Sequence, residues 1–178
     1  MSIAATWGTR PDERARPFPC DALAPPDALS LWRGTTARAP ADVVFRWLCQ
    51  LRAAPYSYDW IDNLGRRSPQ TLTPGLEQLA VGQRVMTIFE LASFEPGRSM
   101  TCVIRQGGGE RAFGRVWVSY VAEPATPDAT RLLAKLRIVP GGGLRGLALR
   151  HLLPWGDLVM MRKQLLTLAR LAERSAAK

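Results

Sequence analysis

Residues 157–174 read DLVMMRKQLLTLARLAER, and their pattern is that of one amphipathic helix. Apolar residues recur at three- and four-residue intervals, whereas the basic residues lie toward the opposite face. At 1.5 Å per residue the stretch is about 27 Å long, which is enough to span a small sheet. We expect Asp157 to cap this helix, because Pro154 separates it from a short basic amphipathic segment at 144–153. The apolar seam consists of Leu158, Met161, Leu165, Leu168 and Ala172.

Residues 130–139 read TRLLAKLRIV and show the period of two that is typical of a strand. One side of this strand carries Arg131, Lys135 and Arg137. Because antiparallel sheets commonly have one buried and one solvated face, we expect the basic side to be wet. The opposite, apolar side consists of Leu132, Ala134, Leu136 and Ile138.

The rest of the chain places this strand and helix in an α+β domain. A first strand is predicted at 31–37, two short helices follow it, and strands joined by short turns occupy 84–122. Strands clustered between helices are typical of α+β proteins and not of alternating βαβ units. We therefore predict a helix-grip fold, in which a curved antiparallel sheet wraps around a long C-terminal helix. The domain is expected at 31–178, after a proline-rich extended arm at 1–30.

The composition excludes several classes of protein. A length of 178 residues with 47% hydrophobic content indicates one folded domain and excludes general disorder. No apolar run approaches the ~18 residues of a transmembrane helix. Residues 1–10 lack a signal-peptide pattern, so a cytoplasmic location is expected. The three cysteines and the single histidine, His151, lack metal-ligand spacing, so no metal or other cofactor is expected.

The net charge of +9 is concentrated in the C-terminal quarter of the chain. Residues 131–178 contain ten Lys/Arg and two acidic residues, which gives 10 − 2 = +8. Such a region could attract nucleic acid, anionic lipid or an acidic ligand. Nucleic acid is not expected as a partner, because no aromatic residues interleave with the arginines to stack on bases. Solvated outer faces of amphipathic elements are the simpler interpretation.

Four segments of the sequence resemble one known superfamily. They are APADVVFRWL at 39–48, YSYDW at 56–60, LAVGQ at 79–83 and PWGDLVMMRK at 154–163. These segments resemble the START-like, helix-grip (SRPBCC) superfamily, which includes polyketide cyclases/dehydrases. The resemblance covers residues 31–174 and implies a cavity for an apolar ligand between the sheet and the last helix. Lipid carriers, hormone receptors and cyclases share this fold, so the fold does not choose among them.

Aromatic side chains are the main candidates for lining the implied cavity, because they bury large areas and some keep a polar tip. Tyr58 and Trp60 would lie at its mouth, with Asp59 orienting a polar group of the ligand. The alternative places Trp60 in the core and makes Asp59 a favourable charge at a helix N-terminus. The predicted ligand-binding residues are Tyr58, Trp60, Phe89, Trp117, Tyr120, Trp155 and Met161.

No complete catalytic constellation is evident, and Glu90, Tyr58 and Asp59 are the weak candidates. An inward Glu90 in an apolar strand would have a raised pKa and would suit a general acid. The alternative is an outward Glu90 paired with Arg105 on the next strand. His151 has no evident acidic partner, so we expect it to be a surface or structural histidine.

These patterns favour the binding or carrying of a small hydrophobic molecule in an internal cavity. The alternative is an enzyme of the polyketide cyclase or dehydratase type, with Glu90 as acid/base and a tyrosine polarising a carbonyl group. A further alternative is electrostatic binding of anionic lipid or nucleic acid by the basic quarter. Residues 144–153 are interpreted as a lid over the cavity, and the alternative for this segment is peripheral contact with an anionic membrane.

Overall fold

A six-stranded antiparallel sheet forms the centre of the computed structural model, which describes residues 2–177 apart from the side chain of Arg145. The strands are β1 (Leu29–Ala37), β2 (Arg84–Val85), β3 (Phe89–Glu95), β4 (Ser99–Ile104), β5 (Arg115–Thr126) and β6 (Ala129–Val139). Their order across the sheet is β1-β6-β5-β4-β3-β2. The chain therefore starts with β1 at one edge of the sheet and continues with β2 at the opposite edge. It then crosses back strand by strand until β6 pairs with β1.

Helices precede, interrupt and close this sheet. They are α1 (Ile3–Thr6), α2 (Pro11–Ala15), a 3₁₀ turn at Pro19–Ala22, α3 (Ala41–Cys49), a 3₁₀ turn at Gln50–Arg52, α4 (Asp59–Asp62), α5 (Gly108–Phe113) and α6 (Gly143–Ala176). Both α3 and α4 lie between the first two strands, as predicted. The curved sheet around a long C-terminal helix confirms the α+β, helix-grip prediction.

The last helix is longer than the sequence predicts. α6 has 34 residues and continues through Pro154, so the predicted break at this residue is wrong. Proline lacks an N–H and removes one hydrogen bond of the helix, but the turns on both sides keep theirs. Asp157 lies inside α6 and pairs with Arg33 of β1, so it is not a helix cap. Among residues 2–177 no helix is both long and apolar enough to cross a membrane.

The inner face of the sheet and the second half of α6 enclose the main core. The apolar side of β6 is buried there, in agreement with its alternation. Full burial of one leucine side chain stabilises the fold by about 1.5–3 kcal/mol, so this seam is a large part of the stability. The residues of α6 that are completely buried are Leu165, Leu168 and Ala172.

The outer face of the sheet is not wet, and that part of the prediction is wrong. The N-terminal segment is also not extended, because it forms α1, α2 and a 3₁₀ turn. Phe18 and Cys20 of this segment pack against Trp117 and Leu133 on the outer face. The backbone N–H of Cys20 donates to Ser119 Oγ of β5 at 2.8 Å. That residues 31–178 form the domain without this N-terminal cover stays a prediction.

Ion pairs fasten the N-terminal segment to the basic side of β6. Arg131 Nε lies 2.6 Å from Glu13 Oε1, and both Lys135 and Arg137 contact Asp21 at 2.8 and 2.9 Å. Burial opposes ionisation of both carboxyl groups, but hydrogen bonds outweigh burial and lower the pKa of Glu13 and of Asp21. The cations of β6 are therefore buried against carboxylates of the N-terminal segment and do not form a basic surface.

Candidate functional site

A polar bridge crosses the interior between the sheet and α6. Tyr120 of β5 is almost fully buried, and its hydroxyl donates to Gln164 Oε1 of α6 at 2.8 Å. Gln164 Nε2 in turn donates to the carbonyl of Pro55 at 2.7 Å. Burial raises the pKa of Tyr120 well above its usual range, so its phenol stays protonated. Its oxygen can therefore donate one hydrogen bond and accept another.

Two thioethers surround this bridge. Met86 Sδ lies 3.9 Å from the Tyr120 hydroxyl and 3.2 Å from Gln164 Nε2. Met161 Sδ lies 3.7 Å from the same hydroxyl. Methionine is unbranched and polarisable, so it fills irregular space and rearranges readily. The space around Tyr120 is thus occupied by the side chains that adapt most easily.

The inner face is incompletely covered near the β2 edge of the sheet. Met86, Ile88 and Phe89 pack against the main core but remain half-buried. Phe89 lies opposite Ile104 of β4, which faces the interior. Leu153, in the first half of α6, is also half-buried against this core. Of the predicted lining residues, the structure therefore brings Phe89, Tyr120 and Met161 onto the inner side.

A buried ion pair lies on the β1 side of the same interior. The guanidinium of Arg33 is completely buried and reaches Asp157 Oδ2 at 2.7 Å. It also donates to the carbonyls of Trp32 and Pro154, at 2.9 and 3.2 Å. Burial raises the pKa of Asp157 to about 6, although the attraction of Arg33 opposes that change. This pair joins β1 to the middle of α6 and tethers the helix where proline weakens it.

The aromatic segment before α4 has mainly structural roles. Asp59 accepts hydrogen bonds from the N–H and the hydroxyl of Ser68, at 2.9 and 2.5 Å, and so fixes the loop that follows. Tyr56 is buried with φ 57°, and among residues 2–177 its hydroxyl has no hydrogen-bond partner. Burial raises the pKa of Tyr56 to about 12. Tyr58 is half-buried at the start of α4, whereas Trp60 is exposed.

Two other predicted lining residues lie outside the interior. Trp117 faces the outer side of the sheet, because its neighbours Val116 and Val118 occupy the inner side. Its inclusion in an interior cavity is therefore wrong. Trp155 is exposed on α6. Trp117 instead borders a shallow outer groove of ≈ 480 Å³, whose other walls are Leu23, Ala24, Pro25, Ala92, Val103, Arg115 and Val139.

Glu90 does not reach the interior either. It lies opposite Val103, which belongs to the outer cluster, whereas the neighbouring Phe89 and Leu91 face inward. Within the part of the chain that the structure describes, Glu90 has no ion pair or hydrogen-bonded side chain, so the predicted pair with Arg105 is absent as well. An inward Glu90 as general acid is therefore wrong. His151 is exposed on the first half of α6.

The cysteine thiols are not activated as nucleophiles. All three cysteines are buried and unpaired, and burial raises the pKa of Cys49 and of Cys102 to about 12. Their thiols are therefore protonated at neutral pH. In residues 2–177 no group of three or more histidine, cysteine or acidic side chains is arranged to hold a metal ion.

Met86 and Gln164 are the interior residues that the sequence did not identify as functional. The sequence gives a weak indication that Gln164 is functional, because it is a polar residue beside the apolar seam of α6 and lies one turn from Met161. The sequence gives no such indication for Met86, because its position depends on the loop geometry around β2, where it adopts a positive φ of 43°.

No protein-family model matches the chain, and no curated protein does. Solved structures nevertheless share its fold. A protein from Thermobifida fusca superimposes with a TM-score of 0.55 at 14% identity, over 82% of this chain and 93% of its own. The Zhui aromatase/cyclase from a Streptomyces strain gives 0.51 at 18% identity, over 82% and 93%. A Mesorhizobium loti protein gives 0.51 at 17% identity, over 82% and 98%. Identities this low establish a common fold and no common activity.

Proposed function

We propose that this chain, which has the START-like helix-grip fold of polyketide cyclase-type proteins, binds a small hydrophobic molecule between the sheet and α6. The observation that carries the proposal is the Tyr120–Gln164 bridge, a neutral polar pair that lies, like the Arg33–Asp157 ion pair, in a mainly apolar interior. Binding sites for small molecules commonly combine apolar walls with a few convergent polar groups. The ligand would therefore be mainly apolar, with one carbonyl or hydroxyl group that meets the phenol or the amide.

Adaptable side chains support this location for the ligand. Met86 and Met161 are the groups that a ligand would displace from Tyr120, and thioethers change rotamer at low cost. The half-buried Ile88, Phe89 and Leu153 mark the side from which it would enter. Tyr58 is half-buried and stays a candidate for the proposed site, whereas Trp60 and Trp155 are too exposed to line it.

An enzyme of the cyclase or dehydratase type is less well supported. Its required acid, Glu90, lies on the outer face, and the hydroxyl of Tyr120 has no acidic or basic side chain as a partner among its hydrogen bonds. General acid–base catalysis needs a titrating group within hydrogen-bond reach of the reacting atom. Binding without chemistry is therefore the function that this geometry supports best.

A fluorescence titration with the uncharged aromatic dye phenylnaphthylamine tests the proposal. We expect saturable binding to the wild-type protein. Met161→Trp fills the interior and should weaken binding at least about tenfold, because an overpacked core cannot rearrange to admit the dye. Val103→Trp enlarges a half-buried side chain of the outer groove and is the matched control, with unchanged affinity expected.

The folding of each variant is checked by its thermal transition. If Met161→Trp fails to fold, Leu153→Trp closes the same space from the half-buried part of α6. Absence of saturable binding to the wild-type protein would contradict the proposal. Equal loss of binding in the inner and outer variants would also contradict it.

A further inference from the structure

The first half of α6 exposes apolar side chains where a surface helix normally exposes polar ones. Leu144, Leu147, Leu152, Trp155 and Val159 are 87%, 57%, 69%, 55% and 54% exposed. Their spacing from the first residue is 3, 8, 11 and 15 positions, which places them along one side of a helix. The segment 144–159 therefore has a stripe about 24 Å long that faces away from the core and is apolar except for the exposed His151 between Leu147 and Trp155.

The second half of α6 exposes mainly polar side chains, as surface helices usually do. Beyond Val159 the exposed positions are occupied mainly by charged residues, namely Arg162, Lys163, Arg170 and Arg174. The apolar exposure is thus concentrated in the part of α6 before and around Pro154, and beyond Val159 it continues only at Leu166 among the large apolar side chains that the structure describes. This contrast shows that the exposed stripe is a local feature and not a general property of the helix.

A second group of exposed apolar side chains lies in and just after α4. Trp60, Ile61 and Leu64 in and after α4 are 76%, 51% and 87% exposed. Ser57, just before α4, contacts Met160 Sδ of α6 at 3.9 Å, so the two elements are neighbours. We call the eight exposed side chains together the apolar platform: Trp60, Ile61, Leu64, Leu144, Leu147, Leu152, Trp155 and Val159.

The charges around the apolar platform have one sign. Arg66, Arg67 and Arg150 are exposed, and in the described part of the chain none of them has an ion pair. Residues 143–156 contain no acidic residue. The two carboxylates of α4 point into the fold, since Asp59 binds Ser68 and Asp62 binds Ser57 at 2.6 Å. An apolar surface with a purely basic rim is complementary to an anionic, apolar surface.

We propose that the apolar platform docks on a lipid membrane that contains anionic phospholipids. α6 would lie in the plane of the interface, with its leucines below the headgroups and its arginines among the phosphates. Two exposed tryptophans suit this depth, because tryptophan concentrates at membrane–water interfaces. The proposal stands independently of ligand binding, since it uses the opposite side of α6 from Tyr120 and Gln164.

Vesicle flotation with the full-length protein tests this proposal. Vesicles of phosphatidylcholine alone are compared with vesicles of equal parts phosphatidylcholine and phosphatidylglycerol. We expect binding to the anionic vesicles that weakens with added salt. The double variant Leu147→Glu/Trp155→Glu should bind at least about tenfold more weakly, because it places charge in the apolar interface. Arg150→Ala should weaken anionic binding about fivefold.

Val81→Glu is the matched control, because Val81 is an apolar side chain that is 67% exposed outside the apolar platform. Its binding should stay within about twofold of the wild-type value. Equal binding to neutral and anionic vesicles, or undiminished binding of the double variant, would overturn the proposal. A dimer in sedimentation that Leu147→Glu/Trp155→Glu converts to a monomer, without any lipid binding, would instead identify a self-association surface and also overturn it.

Discussion

The two faces of the sheet are both covered, but ion pairs and apolar contacts contribute to the two covers in different proportions. The outer face is held to the N-terminal segment by directional ion pairs, in which Asp21 contacts both Lys135 and Arg137. The inner face meets α6 mainly through apolar side chains, with the Tyr120–Gln164 bridge and the Arg33–Asp157 ion pair among them. Ion pairs require fixed geometry, whereas methionine-rich contacts tolerate rearrangement. This difference supports a structural role for the outer cover and the proposal of a ligand site on the inner side.

The carboxyl groups of the two faces respond to burial in opposite directions. Asp21 and Glu13 have several hydrogen-bond donors, which outweigh burial and lower their pKa. Asp157 has one cationic partner, Arg33, and burial there prevails, so its pKa rises to about 6. At Asp157 the attraction of Arg33 does not offset burial, whereas at Glu13 and Asp21 the hydrogen bonds and nearby cations together do.

The largest expected effect comes from breaking the outer cover. Asp21→Leu leaves Lys135 and Arg137 buried without a counter-charge and should lower the free energy of unfolding by about 3–5 kcal/mol. Urea denaturation measures this loss. Glu77→Leu is the control, since its pair with Arg46 at 2.9 Å is about half exposed and is worth at most about 1 kcal/mol. Similar losses in the two variants would show that the outer ion pairs do not hold the N-terminal segment.

A smaller effect should appear in the pH dependence of stability. The folded pKa of Asp157, about 6, is above its ordinary value of 3.8, so the folded state binds its proton more tightly. Protonation of Asp157 therefore stabilises the folded state. This contribution to the free energy of unfolding is fully present below about pH 4, is lost as pH rises through about 6, and amounts to about 2–3 kcal/mol. Urea denaturation across this range measures the slope.

Asp157→Asn removes the titrating group and should abolish that slope, although the variant is less stable at neutral pH because Arg33 loses its counter-charge. Glu13 and Asp21 change stability with pH in the opposite direction. Because their pKa values are lowered in the folded state, they make the protein less stable as pH falls into the acidic range. An unchanged slope in Asp157→Asn would show that another group titrates in this range.

The smallest effect is expected at the inner bridge. Tyr120→Phe removes the donor to Gln164 Oε1 and should lower the free energy of unfolding by about 1–2 kcal/mol. Tyr58→Phe is the control, because the Tyr58 hydroxyl has no hydrogen bond among residues 2–177 and its loss should cost under about 0.5 kcal/mol. A Tyr120→Phe variant as stable as the control would mean that the bridge is not part of the native packing.

The sequence predicts features that depend on local periodicity and misses those that depend on distant partners. The alternation of β6 correctly assigns Leu132 and Leu136 to the core, but it says nothing about what covers Lys135. That cover comes from Asp21, which is distant in sequence. Pro154 predicts a helix end from a local rule, and the packing of α6 overrides that rule although proline inside a helix costs about 3 kcal/mol.

The candidate site is predicted only in part for the same reason. Tyr120, Phe89 and Met161 carry an aromatic or apolar signal in elements that the sequence assigns correctly. Trp117 carries the same signal, but a strand exposes alternate residues to opposite faces, and only the known direction of Val116 and Val118 places it outside. Gln164 acquires its role from the hydroxyl that it meets, which no sequence pattern encodes.

Nuclear magnetic resonance of protein labelled at the methionine methyl groups and the tryptophan indole nitrogens tests the central claim most directly, with phenylnaphthylamine as the titrant. The methyl signals of Met86 and Met161 report on the inner side, and the indole of Trp117 reports on the outer groove. The account predicts saturable shifts of both methionine signals and an unchanged Trp117 signal. A shift of Trp117 with both methionines unaffected would contradict a ligand site between the sheet and α6.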